Sequence, residues 1–245
     1  MVVLPTYNEA ANIKTYYQRL HESHPDVALL VVDDNSPDGT GDIADAIASQ
    51  DERVWVMHRP GKLGLGTAYA EGLSRALALG ASVVAHMDAD GSHDPAELHK
   101  LLEALGAGAD IAVGSRYVPG GRVVGWPWYR QVLSLSGNIY ARTALSMGLR
   151  DVTGGYRAYR SRALAALRPH MLVSTGYCVL PEILYAATKA GMSVVEVPIT
   201  FTQRAAGSSK MTLSVASETF RQVTTWGLAD LRTRSYKRSH QGTRR

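Results

Sequence analysis

Short apolar runs alternate with longer amphipathic segments through the first half of the chain. The runs are rich in valine, leucine and isoleucine, and the segments between them repeat apolar residues with the spacing of an α-helix. This rhythm is typical of β-α-β units, whose strands pair in parallel. We therefore predict an α/β fold with a Rossmann-like, mostly parallel sheet flanked by helices, and strands at residues 2–4, 28–32, 54–57, 83–87 and 111–113.

A cluster of polar residues follows four of these predicted strands. The clusters read PTYNE (5–9), DDNSPDGT (33–40), DAD (88–90) and GSRY (114–117). The carboxyl ends of parallel strands meet at one edge of the sheet, where open α/β sheets bind their ligands. We therefore expect the four clusters to line one site.

The regular alternation stops after Tyr117. A loop rich in Gly, Pro and Trp follows, then an amphipathic stretch at 129–149, a Thr-Gly-Gly turn at 153–155 and a further strand at 194–197. A chain of 245 residues, 45% of them hydrophobic, can bury one sizeable core as a single unit. We predict one domain over residues 1–230, with halves 1–117 and 118–230.

The formal net charge of +4 is concentrated towards the last residues. Six of the 26 Lys and Arg residues follow Asp230, and no Asp or Glu accompanies them. Such a segment attracts anionic lipid headgroups, and nucleic acid for the same Coulombic reason, while a solvated tail without a partner is the alternative. We predict a basic, disordered tail at 231–245.

Three features of the sequence indicate where in the cell the protein acts. No run of about 18 apolar residues predicts a membrane-spanning helix, and the first residues lack a signal-peptide pattern. The single cysteine, Cys178, excludes an internal disulfide and a cysteine-based zinc site. We expect a cytoplasmic protein.

Asp88 and Asp90 stand two residues apart at the end of a predicted buried strand. Side chains at this spacing point to the same side of an extended chain, so the pair can hold one hard cation such as Mg2+ or Mn2+, with Ala89 pointing away. Carboxylates that cap a β-α turn are the structural alternative.

The same residues allow a second enzymatic interpretation. DADGS at 88–92 fits the D-x-D-G-[ST] signature of haloacid-dehalogenase-like phosphatases, in which Asp88 would be a nucleophile. That signature normally ends the first strand of its fold, whereas here it ends the fourth. The phosphatase is therefore the less favoured interpretation.

Asp33 and Asp34 end another predicted buried strand. Carboxylates there can accept hydrogen bonds from a base N–H or a ribose hydroxyl, whereas Asp38 and Gly39 are explained well enough by a turn. The G-x-G of LGLGTAY at 63–69 has Tyr69 where a dinucleotide fingerprint needs its third glycine, so it predicts no cofactor loop.

Basic residues occupy positions where phosphates would bind. Arg116, Arg130, Arg157, Arg204 and Lys210 all follow predicted strands, loops or turns near the acidic clusters. Together they suit a pair of substrates that carries several phosphates, although each alone would be an ordinary surface charge.

Trp126 and Trp128 stand in one short loop with Pro127 and neighbouring valines. Exposed aromatic residues beside Arg130 would act as a wedge at a membrane interface. The alternative is a loop folded back onto the core.

Seven motifs in order, PTYNE, DDNSPDGT, LGLGTAY, MDADGSHDP, GSRY, TGGYRAYR and GSSKM, make the chain resemble the polyprenol-phosphate (dolichol-phosphate) mannosyltransferases of glycosyltransferase family 2. The resemblance covers nearly the whole chain to about Trp226. It implies a GT-A fold, GDP-mannose as donor, a polyprenyl phosphate as acceptor, Mg2+ or Mn2+ as cofactor, and inversion at the anomeric carbon.

The resemblance also implies roles for individual residues. Asp88, Asp90 and Ser92 would hold the metal, Asp88 and Asp90 would also be catalytic, and Arg116 and Arg130 would be catalytic and grip the acceptor phosphate. The donor would be bound by Pro5, Tyr7, Glu9, Val32, Asp33, Asp34, Asp88, Ala89, Asp90, Arg204 and Lys210. The half at 1–117 would bind the nucleotide sugar and the half at 118–230 would shape the acceptor side.

Many relatives in the resembled family carry C-terminal membrane helices, whereas this chain has a basic tail there. We therefore expect it to reach its lipid peripherally on the cytoplasmic face, through the tail and Trp126/Trp128, or through a membrane-protein partner, and to bind no nucleic acid. The sequence departs from the family after Tyr177, where it reads CVLPE, and at Gly91 in place of a more usual Leu. A UDP-glucose-dependent glucosyltransferase acting on the same lipid and an inactive nucleotide-sugar-binding subunit are the remaining alternatives.

Overall fold

The computed structural model describes residues 1–204 and 217–230. Within these residues, seven strands form one sheet in the order β3-β2-β1-β4-β7-β5-β8, and β6 pairs with β9 beside it. The strands are β1 (Val2–Thr6), β2 (Leu29–Asp33), β3 (Val54–His58), β4 (Val83–His86), β5 (Ile111–Ser115), β6 (Arg122–Val124), β7 (Arg157–Arg160), β8 (Val194–Pro198) and β9 (Thr200–Thr202).

Helices connect the strands and cover both faces of the sheet. The α-helices are α1 (Ile13–Ser23), α2 (Thr40–Ala48), α3 (Leu65–Ala78), α4 (Leu98–Gly106), α5 (Trp128–Ala144), α6 (Ser161–Leu167) and α7 (Val179–Lys189), and a further helix runs through 217–230. Short 3-10 helices lie at Pro95–Glu97 and Pro169–Met171. None of the described helices is long and apolar enough to cross a bilayer.

Alternation along the strands divides the core into two layers. Val2 and Leu4 of β1 pack with α1 and α4 on one face. Val3, between them, packs with α3 and α7 on the other face. Because successive strand residues point to opposite faces, an unbroken apolar strand such as β2 suits a sheet that is covered on both sides. The predicted α/β fold is confirmed.

The register aligns the carboxyl ends of the first strands. Thr6 of β1 lies opposite Asp33 of β2, and Asp33 lies opposite His58 of β3, all in parallel pairing. The polar residues that follow these strands therefore begin at the same level of the sheet. This register brings PTYNE and DDNSPDGT, two of the four clusters, to one edge of the sheet.

The antiparallel strand β7 was not predicted. It lies between β4 and β5, with Ala85 and Ala112 both opposite Ala158. Its four residues, RAYR, carry two arginines and lack a recognisable apolar run. The inserted strand separates the acidic end of β4 from the arginine that follows β5, and the turn that leads into β7 fills the space between them.

The predicted amphipathic stretch at 129–149 forms α5 only as far as Ala144. Ser146 follows with a positive φ of 53°, a left-handed conformation that an α-helix cannot continue. Asn138 and Ala141 are the buried residues of α5. The helix packs through a narrow inner face and leaves much of its surface open.

Candidate active site

Backbone hydrogen bonds to side chains join the loop after β1 to the loop after β2. The N–H groups of Asn8, Glu9 and Ala10 donate to Ser36 Oγ (3.0 Å), Thr40 Oγ1 (2.9 Å) and Asp38 Oδ2 (3.0 Å). Asn8 has a φ of 57°, which Asn tolerates better than most residues. PTYNE and DDNSPDGT therefore form one connected wall.

Asp33 is engaged inside this wall. Its carboxylate accepts hydrogen bonds from Thr6 Oγ1 (3.0 Å), Ser36 Oγ (2.5 Å) and the Ser36 N–H (3.0 Å). These bonds fix the turn after β2. Val32, fully buried, has its side chain in the core, so only its backbone could meet a ligand. Pro5 lies opposite Val32 in the parallel register.

Asp34 is held by a buried ion pair. Arg59, only 3% exposed, donates to Asp34, to both carboxylate oxygens of Glu71 at 3.1 Å and to Thr67 Oγ1 at 2.6 Å. Burial raises the pKa of Asp34, and the Arg59 guanidinium opposes that shift. Nearby, Lys62 Nζ lies 4.2 Å from the centroid of the Tyr7 ring.

The acidic pair lies in the loop after β4. The Asp88 N–H donates to His93 Nδ1 (3.1 Å), and the Ser92 N–H donates to Asp90 Oδ1 (3.0 Å). Tyr69 Oη donates to Asp88 Oδ1 at 3.4 Å. These bonds shape the loop around the two carboxylates, with Ala89 buried in the core.

Burial raises the pKa of Asp88, and the neighbouring Asp90 carboxylate raises it further while His93 opposes the shift. Asp90 is buried and Asp88 is partly exposed, and two neighbouring carboxylates that repel each other favour a bound cation. Within the described residues, no third His, Cys, Asp or Glu completes a metal-binding group with them. The residues fit a hard divalent cation that takes its other ligands from a diphosphate or water.

The Thr-Gly-Gly turn makes room for carboxylates. A Cβ on Gly155 would lie 3.1 Å from Asp88 Oδ1, and one on Gly154 would lie 3.4 Å from Asp151 Oδ1. A side chain at Gly155 would crowd Asp88, and one at Gly154 would lie 3.1 Å from the Gly114 carbonyl oxygen. The turn therefore needs glycine for close approach.

Arg116 is clamped from one side. Its Nε donates to Asp151 Oδ2 at 2.7 Å, and its Nη2 donates to Asp151 Oδ1 at 2.7 Å and Thr153 Oγ1 at 2.9 Å. Asp151 outweighs the effect of burial and raises the pKa of Arg116. The guanidinium is fixed in one orientation, and its charge is largely balanced.

Arg204 lies beside the acidic pair, and Arg130 lies close to both. Arg204 Nη2 lies 3.3 Å from Asp90 Oδ2, and the Arg130 guanidinium lies 4.1 Å from the Trp126 ring centroid. Burial and the neighbouring Arg204 lower the pKa of Arg130, and Asp90 opposes them. Arg130, Arg204 and Asp90 are therefore close enough to interact electrostatically. Lys210, with the GSSKM motif, lies outside the described residues.

The interpretation of Arg157 as a phosphate-binding residue is wrong, and only one of the two tryptophans in the predicted wedge is strongly exposed. Arg157 is fully buried and donates to the carbonyl oxygens of Gly154, Val152 and Leu180 at 2.6–2.9 Å, so it braces the core and cannot reach a phosphate. Trp126 packs edge-on against Phe201, with ring centroids 5.2 Å apart, and is not an exposed wedge. Trp128 is 76% exposed.

Sequence reasoning missed several residues that the fold brings to the site. Burial and Asp88 raise the pKa of Tyr177 to about 12, which places its phenol near the acidic pair. His93 is buried, and its Nε2 has no partner among the described residues. Neither residue stood at a predicted strand end. Only the SHDP and GYC segments around them could have drawn attention to them.

Strand-end carboxylates opposed by arginines, on a mostly parallel sheet covered on both faces, define the class of a GT-A-type glycosyltransferase. Among solved structures, glucosyl-3-phosphoglycerate synthase from Mycobacterium tuberculosis in complex with Mn2+ and UDP-glucose has a TM-score of 0.65 with 22% identity, over 93% of this chain and 77% of that one. At this identity the likeness concerns the fold alone.

The sequence profile described as Glycosyl transferase family 2 matches residues 1–168, and the chain belongs to this family. The chain is 51% identical to polyprenol monophosphomannose synthase of Mycolicibacterium smegmatis, over 93% of this chain and 86% of the relative. It is 45% identical to undecaprenyl-phosphate mannosyltransferase of Micrococcus luteus, over 94% of each. The dolichol-phosphate mannosyltransferase of Pyrococcus furiosus is 36% identical, over 91% of this chain and 62% of the relative. The protein is a glycosyltransferase, and the alternative interpretation as a phosphatase is wrong.

Proposed function

We propose that this glycosyltransferase moves mannose from GDP-mannose to a polyprenyl phosphate, with inversion at the anomeric carbon. The observation that carries the proposal is the row of charges from Asp88 and Asp90 through Arg204 to Arg130, which ends at the exposed apolar face of α5. Such a row suits a diphosphate donor next to a phosphate on a lipid tail. The names of the relatives support the same pair of substrates.

On the donor side, Asp34, Tyr7 and Glu9 would bind the nucleoside, and Pro5, Val32 and Asp33 would form the strand ends beneath it. Asp88 and Asp90, with Ser92 beside them, would hold Mg2+ or Mn2+. That cation would neutralise the charge that develops on the departing nucleoside diphosphate. Arg204 would pair with the diphosphate, as would Lys210 in the sequence-based prediction.

On the acceptor side, a phosphate monoester is already ionised near neutral pH and needs no strong general base. Its oxygen would attack the anomeric carbon as the bond to the diphosphate breaks, and the electron pair of that bond would leave with the nucleoside diphosphate. Arg116 and Arg130 would orient the phosphate for attack from the opposite face. Positioning and charge complementarity are the main contributions expected from the protein.

The outer face of α5 supports the proposed lipid acceptor. Trp128 (76%), Leu133 (69%), Tyr129 (62%) and Val132 (58%) are strongly exposed, and the apolar positions recur at helical spacing on the side away from Asn138. A helix of this kind lies in a membrane interface with its apolar face among the lipids. We place α5 on the cytoplasmic membrane surface, close to where Arg130 would receive the acceptor phosphate.

Transfer of radiolabelled mannose from GDP-mannose to a polyprenyl phosphate by the purified chain tests the proposal. The reaction is run with Mg2+, with Mn2+ and with EDTA, and in parallel with UDP-glucose. We expect lipid-linked mannose that disappears with EDTA. Product from UDP-glucose alone would keep the enzyme class and overturn the choice of sugar.

Flotation with anionic vesicles tests the membrane contact separately. The full chain is compared with a chain that lacks residues 232–245, which lie outside the described residues. If α5 is the main contact, the shortened chain still floats. If neither chain floats, the proposed surface is wrong, and a membrane-protein partner becomes the expected route to the lipid.

A further inference from the structure

Asn138 is a fully buried polar residue on the inner face of α5. Its Nδ2 donates to Ser134 O (3.0 Å) and Thr153 Oγ1 (3.0 Å), and its Oδ1 accepts from the Val152 N–H (2.8 Å) and the Thr153 N–H (3.2 Å). The amide therefore joins α5 to the loop that follows residue 150. All of the Asn138 hydrogen-bonding groups are used.

Thr153 continues the connection to the arginine clamp. Its hydroxyl oxygen receives the Asn138 amide and also Arg116 Nη2, at 2.9 Å. The adjacent Asp151 holds the other edge of the same guanidinium through two bonds of 2.7 Å. Two side-chain groups therefore separate the α5 backbone from the Arg116 guanidinium: the buried Asn138 amide and the half-buried Thr153 hydroxyl.

The other side of this loop is fixed to the sheet. Glu196 of β8 accepts the Arg150 N–H (2.7 Å) and the Asp151 N–H (2.8 Å). The loop that holds Arg116 thus has one anchor in the sheet and one in α5. Glu196 fixes the position of Asp151 relative to the sheet. Asn138 fixes the position of Thr153 relative to α5.

We infer that Asn138 is a positioning residue, which aligns the Arg116 guanidinium with Arg130 on α5. The role rests on the proposed function, because the acceptor phosphate is the group that Arg116 and Arg130 would share. Arg130 stands two turns before Asn138 on the same helix. When α5 lies on the lipid surface, the Asn138–Thr153 link fixes the positions of the Arg116 and Arg130 guanidinium groups relative to each other.

Asparagine suits this position because one side chain must donate to a hydroxyl and accept from two N–H groups. Aspartate would lose the donors and would place a second negative charge near Asp151. Alanine would leave the Val152 N–H and the Thr153 N–H buried without their partner, which is costly. Either change therefore disturbs the clamp.

The test measures kcat and KM for both substrates with the full chain and polyprenyl phosphate in vesicles. For Asn138→Asp and Thr153→Val, we expect the acceptor kcat/KM to fall by about tenfold or more, since small displacements of a positioned group have effects of this size. The donor KM should stay within twofold. Thr153→Ser keeps the hydroxyl and should restore most of the acceptor kcat/KM.

Ser136→Ala is the matched control, because Ser136 is exposed on the same helix and bonds only the Leu133 carbonyl among its described contacts. Thermal unfolding of each variant separates loss of fold from loss of alignment. An increase in the donor KM as large as the fall in the acceptor kcat/KM, or failure of Thr153→Ser to recover, would overturn the inference. Failure of the wild-type chain to transfer mannose would instead overturn the proposed function.

Discussion

The two sides of the site are built in different ways. On the donor side, Asp33, Asp34 and Glu9 are fixed by hydrogen bonds or ion pairs within a few residues of parallel strand ends. On the acceptor side, Arg130 stands on α5 and rests on the Trp126 ring, beside a surface open to solvent. The residues proposed to bind the donor are preformed, whereas in the proposed function the acceptor side would be completed by the membrane surface.

This difference has an electrostatic component. The donor wall holds its buried charges in pairs, as Arg59 does with Asp34 and Glu71. In the acidic pair, Asp90 contacts Arg204 at 3.3 Å, whereas the structure gives Asp88 hydrogen bonds with Tyr69 and His93. In the proposed function, the diphosphate would pair with Arg204 and the cation would be held by Asp88 and Asp90.

The largest expected effect concerns the acidic pair shared by both sides. Asp90→Asn keeps the shape but removes the charge, and we expect mannosyl transfer to fall roughly a thousandfold, because several kcal/mol of charge stabilisation are lost. Transfer assays and Mn2+ titration followed by electron paramagnetic resonance measure it. Asp42→Asn, on exposed α2, is the control, and an active Asp90→Asn enzyme would contradict the assignment.

A smaller effect is expected when the acceptor side alone is changed. Arg130→Ala should lower the acceptor kcat/KM by about a hundredfold, and Arg130→Lys should recover part of it, because Lys keeps the charge but not the planar fork. Steady-state kinetics with both substrates varied measures it. Arg122→Ala, at an exposed position on β6, controls for net charge. An increase in the donor KM alone would place Arg130 on the other side.

The donor wall can be weakened from within. Arg59→Met removes one partner of a buried ion pair, and we expect the free energy of unfolding to fall by about 3 kcal/mol and GDP affinity to fall by about tenfold. Denaturant unfolding and calorimetry measure the two quantities. Arg162→Met, which breaks a pair in which the arginine is 74% exposed, should change stability by at most about 1 kcal/mol.

The smallest catalytic effect is expected at the open surface of α5. Leu133→Glu should weaken vesicle flotation, because it places a charge on the apolar face of α5. We expect transfer to a long-chain acceptor to fall by about fivefold, which corresponds to about 1 kcal/mol of membrane affinity. Transfer to a short, water-soluble polyprenyl phosphate should be unchanged. Val195→Glu is the control, because it places the same charge on an exposed apolar residue of β8, away from α5 in the sequence. Equal losses with both acceptors would mean that Leu133 acts on the fold.

The sequence determined the features that depend on local pattern. Alternating apolar runs specified the parallel strands, and because parallel strands end at a common edge, PTYNE, DDNSPDGT and DADGS could be placed together. Asp88 and Asp90 could be paired because their spacing is set by the geometry of one extended segment. The assignment of individual ligand roles and of the domain halves stays a prediction.

Contacts between distant segments were decided only by the tertiary structure. RAYR forms an inserted antiparallel strand because Ala158 fits between Ala85 and Ala112, and no local period indicates such a position. Arg157 and Arg116 looked alike in the sequence, yet one is enclosed by carbonyl oxygens and the other by Asp151. The partner of a long side chain depends on the residues that the fold places around it, and those residues come from far along the chain.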